Sequence, residues 1–118
     1  MVDEQRKKVF FYVTGFGKFG PILENPTTYL VRDLPSLIDQ VSQQQRDWHL
    51  EHHEIVDVTI QECDIALDRI FAMVAEKRTQ ADHHVVINFG VAANRGSFCL
   101  ENIGKNIADF IIPDEGGN

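Results

Sequence analysis

Glu101 is the residue in this 118-residue chain whose type and setting point most directly to chemistry. It stands among Phe98, Cys99, Leu100 and Ile103, an apolar neighbourhood that implies partial burial. A carboxylate taken out of water needs a partner or a purpose, because desolvation penalises its charged form. Upstream, the run VVINF over residues 85–89 breaks at Gly90, and a small-residue loop then leads to Glu101. A strand that ends in a glycine loop is where α/β proteins place binding sites, since backbone approaches ligand most closely there.

A second glycine loop, Gly15-Phe16-Gly17-Lys18-Phe19-Gly20, follows the apolar run VFFYVT over residues 9–14. Its Gly-x-Gly-x-x-Gly spacing matches the dinucleotide fingerprint in form. That fingerprint places its third glycine in the first turn of a helix, whereas here Pro21 follows at once and helix signals wait until Asn25-Pro26. Phe16 and Phe19 also fill positions that phosphate would approach, so they read better as apolar walls of a small pocket. The competing reading is that both are ordinary core aromatics. Cys63 and Cys99 are either nucleophiles awaiting a base or buried inert thiols, and no histidine is paired with either in sequence. Arg95 offers a cation to an anionic ligand or to a local carboxylate.

The elements that must carry these loops follow from periodicity. Residues 9–14 are apolar almost throughout, the pattern of a strand covered on both faces. Asn25-Pro26 has the order of a helix start, an Asn N-cap with Pro at the first helical position. Tyr29, Leu30, Leu34, Leu37, Ile38 and Val41 continue it as one apolar stripe, with Pro35 expected to kink the helix or to start a second one. Residues 42–49 read as a polar surface connection and residues 54–60 as a second strand. Residues 64–77 form an amphipathic helix and residues 84–89 a third strand. Two strand–helix–strand units in succession imply an α/β fold with a mostly parallel sheet. A further apolar segment, residues 97–112, is assigned to strand, and the closing Pro113-Asp114-Glu115-Gly116-Gly117-Asn118 looks cut rather than completed.

Composition narrows the function classes. A net charge of −7, with no basic cluster beyond Arg6-Lys7-Lys8 in a polar lead-in over residues 1–8, argues against nucleic acid. No apolar run approaches the roughly 20 residues of a membrane span. The polar N-terminus is unlike a signal peptide, and the two isolated cysteines fit a reducing compartment, so a cytoplasmic protein is expected. Four of the five histidines come as His52-His53 and His83-His84, read as solvated strand starts. Strand neighbours point to opposite faces, so neither pair makes a metal face, and neither metal nor cofactor is expected.

Taken jointly, the loops resemble a known family. TGFGKFG followed by Glu24-Asn25-Pro26-Thr27 is similar to the N-terminal motif of pyroglutamyl peptidase I, also called pyrrolidone carboxyl peptidase. NFGVAANRGSFCLENIGKN resembles the same family's second motif, and Ile112-Pro113-Asp114-Glu115-Gly116 looks like its continuation. The resemblance covers essentially the whole chain, but only the N-terminal half of a family member. It implies a three-layer α/β/α domain, of which residues 1–118 are the N-terminal portion, and a cysteine exopeptidase acting on peptides with N-terminal pyroglutamate. In such enzymes a Cys attacks the amide carbonyl, a His serves as base and acid, and a Glu orients the His. By resemblance Glu101 is that glutamate, Phe16 and Phe19 sandwich the pyrrolidone ring, and Asn25 lies near the pocket. The Gly90-Val91 backbone would meet the lactam, with Arg95 auxiliary. Neither cysteine and none of the histidines matches the family's nucleophile or base. Lys18 replaces the usual Pro, Pro21 a frequent Gly, and Ile111 a frequent Arg. The chain alone is therefore expected to be silent, and half a sheet domain is expected to associate, as a homo-oligomer or an aggregate. A lactam-binding module without catalysis is the alternative, and a nucleotide-binding domain the remote one.

Overall fold

The computed structural model describes residues 7–41, 47–92, 96–101 and 115–117. Five elements alternate along the chain: β1 (Val9–Phe16), α1 (Pro26–Val41), β2 (Trp48–Val56), α2 (Ile60–Glu76) and β3 (His83–Asn88). The three strands form one open sheet in the order β2-β1-β3, and both pairings are parallel. This is the expected α/β architecture, with β1 at its centre. No helix among the described residues is long and apolar enough to cross a membrane.

Alternation along β1 decides which helix covers which face. Phe10 and Tyr12 are buried against Ile70 of α2, with Met73, Val74, Ala81 and Val86 packed around them. Gly15 points the other way, toward α1, since strand residues three apart lie on opposite faces. A Cβ built on Gly15 would stand 2.6 Å from the Thr27 carbonyl oxygen and 2.8 Å from Val31 Cγ2. The helices thus lie on opposite faces, and α1 seats as closely as it does because position 15 has no side chain.

The structure corrects several boundaries. β2 begins at Trp48, six residues before the expected Glu54, in a stretch expected to be a polar connection. Its polar residues are tolerated because α2 answers them: Lys77 pairs with Glu51 and Arg69 with Glu54. A register shift helps, since Phe11 faces Leu50 while Tyr12 faces His52, leaving Glu51 as an extra residue on β2. α2 starts at Ile60, four residues before the expected Asp64, because the Thr59 side chain caps it by accepting from the Glu62 N–H at 2.9 Å. Pro35 does not split α1, which runs as one helix across it.

The expected stripe on α1 also divides. Thr27 and Val31 are buried and Leu34 and Ile38 half-buried, whereas Tyr29, Leu30, Leu37 and Val41 are exposed. The sheet-facing row therefore has the spacing 27, 31, 34, 38, which the sequence reading had merged with a second row. The histidine pairs are likewise not all solvated strand starts. His52 and His53 sit inside β2, and the half-buried His84 ring joins the core through Tyr12. Residues 97–101 are not in a strand; the rest of the segment assigned to strand up to Ile112 lies outside the described residues.

Tyr12 is 0% exposed and its hydroxyl lies 2.8 Å from His84 Nδ1. Burial pushes its phenol above the ordinary value of 10.0, because the phenolate would be poorly solvated. A raised folded-state value means that this contribution to stability is complete below pH 10 and is lost as pH rises through the folded value.

Two outcomes are expected from this packing. Gly15→Ala should cost about 1–3 kcal/mol, read from the urea midpoint, because the Thr27 backbone must move. Tyr12→Phe should cost about 0.5–1.5 kcal/mol at neutral pH through the lost bond to His84. The same variant should show a shallower loss of stability than the parent above about pH 10 in alkaline unfolding.

Candidate functional site

In a parallel sheet all carboxyl ends lie on one edge, and the loops leaving them share that edge. The chain leaves β1 for β2 on one side, then crosses to β3 on the other, so the strand order switches between β1 and β3. Such a switch point opens a crevice outside the strand ends, the general ligand position in open α/β sheets. β1 runs two residues past the expected Thr14 and ends on Phe16, the loop after it carries Phe19 and Asn25, and the chain after β3 carries Gly90 and Val91. The two exits are adjacent, since the Phe89 N–H donates to the Thr14 carbonyl at 2.9 Å and the Thr14 hydroxyl donates to Asn88 Oδ1 at 2.7 Å.

The first loop is fastened by a knot around Asn25, which is 4% exposed. Asn25 Oδ1 accepts from the Thr27 N–H at 3.0 Å and from the Thr27 hydroxyl at 2.8 Å, while its Nδ2 donates to the Gly17 carbonyl at 3.0 Å. A backbone donor on one side and a backbone acceptor on the other leave only one orientation of the amide. Thr27 Oγ1 in turn accepts from the Phe16 N–H at 2.9 Å, and the Thr28 hydroxyl donates to the Phe16 carbonyl at 2.6 Å. Asn25 thus serves as the expected helix cap and also ties the end of β1 to α1.

Beyond Gly17 the loop folds back on itself. Phe19 and Ile22 exchange two backbone hydrogen bonds of 2.9 Å across a Gly20-Pro21 tip. Gly20 has φ 53, the left-handed conformation that such tight turns need and that glycine adopts without a Cβ penalty. The third glycine of the fingerprint is therefore a hairpin tip well before α1 rather than part of a helix. That removes the geometric basis of the dinucleotide reading.

Phe16 and Phe19 are half-buried. Gly90 and Val91 are exposed, and a Cβ on Gly90 would meet nothing within 4 Å. Glu101 departs from expectation: it is exposed, as are Phe98, Cys99 and Leu100 around it. Apolar neighbours in sequence do not bury a carboxylate unless something packs over them, and the described core is built around β1 instead. Cys99 is therefore no buried thiol, while Cys63 is half-buried in the first turn of α2. Arg95 and Ile103 lie outside the described residues.

Asp57 was missed in the sequence reading. It follows β2 at the same carboxyl edge, and its Oδ1 lies 3.6 Å from the Cβ position of Gly17. The rule that sites gather beyond strand ends would have singled it out. A small open depression nearby is lined by Glu54, Ile55, Val56, Asp57, Glu62, Ala66 and Arg69. Arg69 already pairs with Glu54 there, and the charged lining does not suit a flat neutral ring.

Comparison with known proteins bears on which chemistry this edge serves. The chain is similar to the pyrrolidone-carboxylate peptidase of Treponema denticola, with 30% identity over 108 residues, covering 90% of this chain and 42% of that protein. It is thus a distant relative of a peptidase, and it spans about two fifths of the length of the curated relative it matches. No family model and no solved structure matches.

The knot gives a direct test. Asn25→Ala should cost about 1–3 kcal/mol in the urea midpoint, since it removes a helix cap and leaves the Gly17 carbonyl without its donor. Asn25→Asp keeps the cap acceptor but sets a carboxylate against that carbonyl, and should fall between the two.

Proposed function

We propose that residues 1–118 supply the N-terminal part of a pyroglutamyl peptidase, a cytoplasmic cysteine exopeptidase that removes pyroglutamate from peptide N-termini. The observation that carries this reading is the position of the glycine–aromatic loop. It leaves the central strand at the switch point beside Gly90-Val91, in a chain distantly related to a pyrrolidone-carboxylate peptidase.

The chemistry follows from the ligand. A pyrrolidone ring is flat and neutral, so Phe16 and Phe19 would bind it by area, and the Gly90-Val91 backbone would supply hydrogen bonds to the lactam. Asn25 acts beside the pocket by holding the Phe16-Gly17 backbone. Arg95 is auxiliary. Glu101 is the carboxylate that orients a histidine, which takes the proton of an attacking thiol and returns it to the leaving amine. Neither Cys63 nor Cys99 takes the nucleophile's role, and the thiol and its base come from chain beyond Asn118. No metal or cofactor is required. Further chain would also cover the exposed apolar residues of the helices, among them Leu37, Val41, Ile65 and Phe71. In its absence the chain self-associates.

Turnover of a pyroglutamyl-coumarin amide tests the assignment. Residues 1–118 alone should release no fluorophore, and turnover abolished by Cys99→Ser would overturn the division of roles. In the longer protein Glu101→Gln should lower kcat by about 10²–10⁴-fold with little change in KM, by analogy with removal of a triad's orienting carboxylate. A sharp monomeric peak in size-exclusion chromatography, with cooperative unfolding, would count against a partial domain. The second reading, a lactam-binding module, rests on the aromatic loop and the Gly90-Val91 backbone lying at one sheet edge, where they could hold a lactam without any catalytic group. It predicts pyroglutamate binding in calorimetry with no hydrolysis in any longer form.

A further inference from the structure

Glu115 lies 95 residues along the chain from Gly20, yet its Oε1 accepts a hydrogen bond from the Gly20 N–H at 2.9 Å. Its Oε2 stands 3.8 Å from Lys18 Nζ, and its own backbone N–H donates to the Val58 carbonyl at 2.8 Å. One residue thus connects the loop after β1 to the turn after β2. Phe19 sits between the two residues that the carboxylate touches. We propose that Glu115 is a positioning residue, clamping the Lys18–Gly20 segment and so fixing the Phe19 wall of the lactam pocket. The inference rests on the pyroglutamate reading of that pocket.

The loop needs such an anchor. The Phe19–Ile22 pair is a two-bond ladder closed by a glycine tip, and isolated ladders of this size are marginal in water. Glycine also loses more backbone freedom on ordering than other residues. An aromatic wall left on that loop alone would sample many positions, whereas stacking on a flat ring needs one. Of the two contacts, the bond to the Gly20 amide carries the clamp. It is charge-assisted, and such bonds are stronger than neutral ones. The Lys18 side chain is 70% exposed, so its ion pair is screened and contributes little. Lys18 is one of the positions at which this chain departs from the family it resembles, so a minor role for it is consistent with that departure.

The test uses the 118-residue chain, with hydrogen exchange at the Gly20 amide and calorimetry with pyroglutamate. Glu115→Ala should speed Gly20 exchange about tenfold and weaken pyroglutamate several-fold, while amides of β1 keep their protection. Glu115→Gln retains an acceptor oxygen without the charge and should fall between Glu115→Ala and the parent in both effects, and Lys18→Met should resemble the parent. Unchanged Gly20 exchange in Glu115→Ala overturns the clamp. Faster exchange with unchanged affinity overturns its role in the pocket. If the parent chain does not bind pyroglutamate at all, the lactam-pocket reading fails in this chain, and Gly20 exchange alone then decides whether the clamp exists.

Discussion

The close seating of α1 on β1 is the constraint on which the candidate site depends. Gly15 lets the Thr27 carbonyl come to a distance that a Cβ would forbid, and the Asn25–Thr27–Thr28 knot then locks Phe16 and Gly17 to the helix start. The aromatic loop emerges from that fixed point. Phe16, at the end of β1, is held by the Thr27 and Thr28 hydroxyls, while the loop's tip is held by a local turn and by Glu115. Precision at Phe16 is thus inherited from the core, whereas precision at Phe19 depends on a contact from a distant part of the chain.

The sheet is asymmetric in how it meets its helices. On the α2 face β1 supplies Phe10 and Tyr12, and β2 supplies carboxylates that Lys77 and Arg69 neutralise. On the α1 face a glycine replaces a side chain, and helix and strand come into close contact. Each helix also carries exposed apolar residues away from the sheet. A chain of this length can build one core around a central strand, and here it does so with surface to spare.

What could be read from sequence was local. β1 was clear because a central parallel strand is apolar on both faces, and α1 was clear because Asn25-Pro26 is a complete start signal within two residues. β2 was obscured because its His and Glu residues imitate a surface connection, and only the pairing with α2 makes them compatible with a strand. The start of α2 was available in Thr59-x-x-Glu62, a capping pattern that was passed over in favour of β-branched composition. The setting of Glu101 could not be read at all, since burial is decided by what packs over a segment and not by its neighbours in sequence. Glu115 was invisible for the same reason: its partners are Lys18, Gly20 and Val58, and nothing local announces them.

The most direct measurement is to sequence the native transcript past the codon for Asn118. A partial pyroglutamyl peptidase requires the reading frame to continue into a segment with a nucleophilic cysteine and, later, a histidine to serve as its base. A stop codon directly after Asn118 would contradict that reading, and would leave a chain that at most binds a lactam at the edge of its sheet.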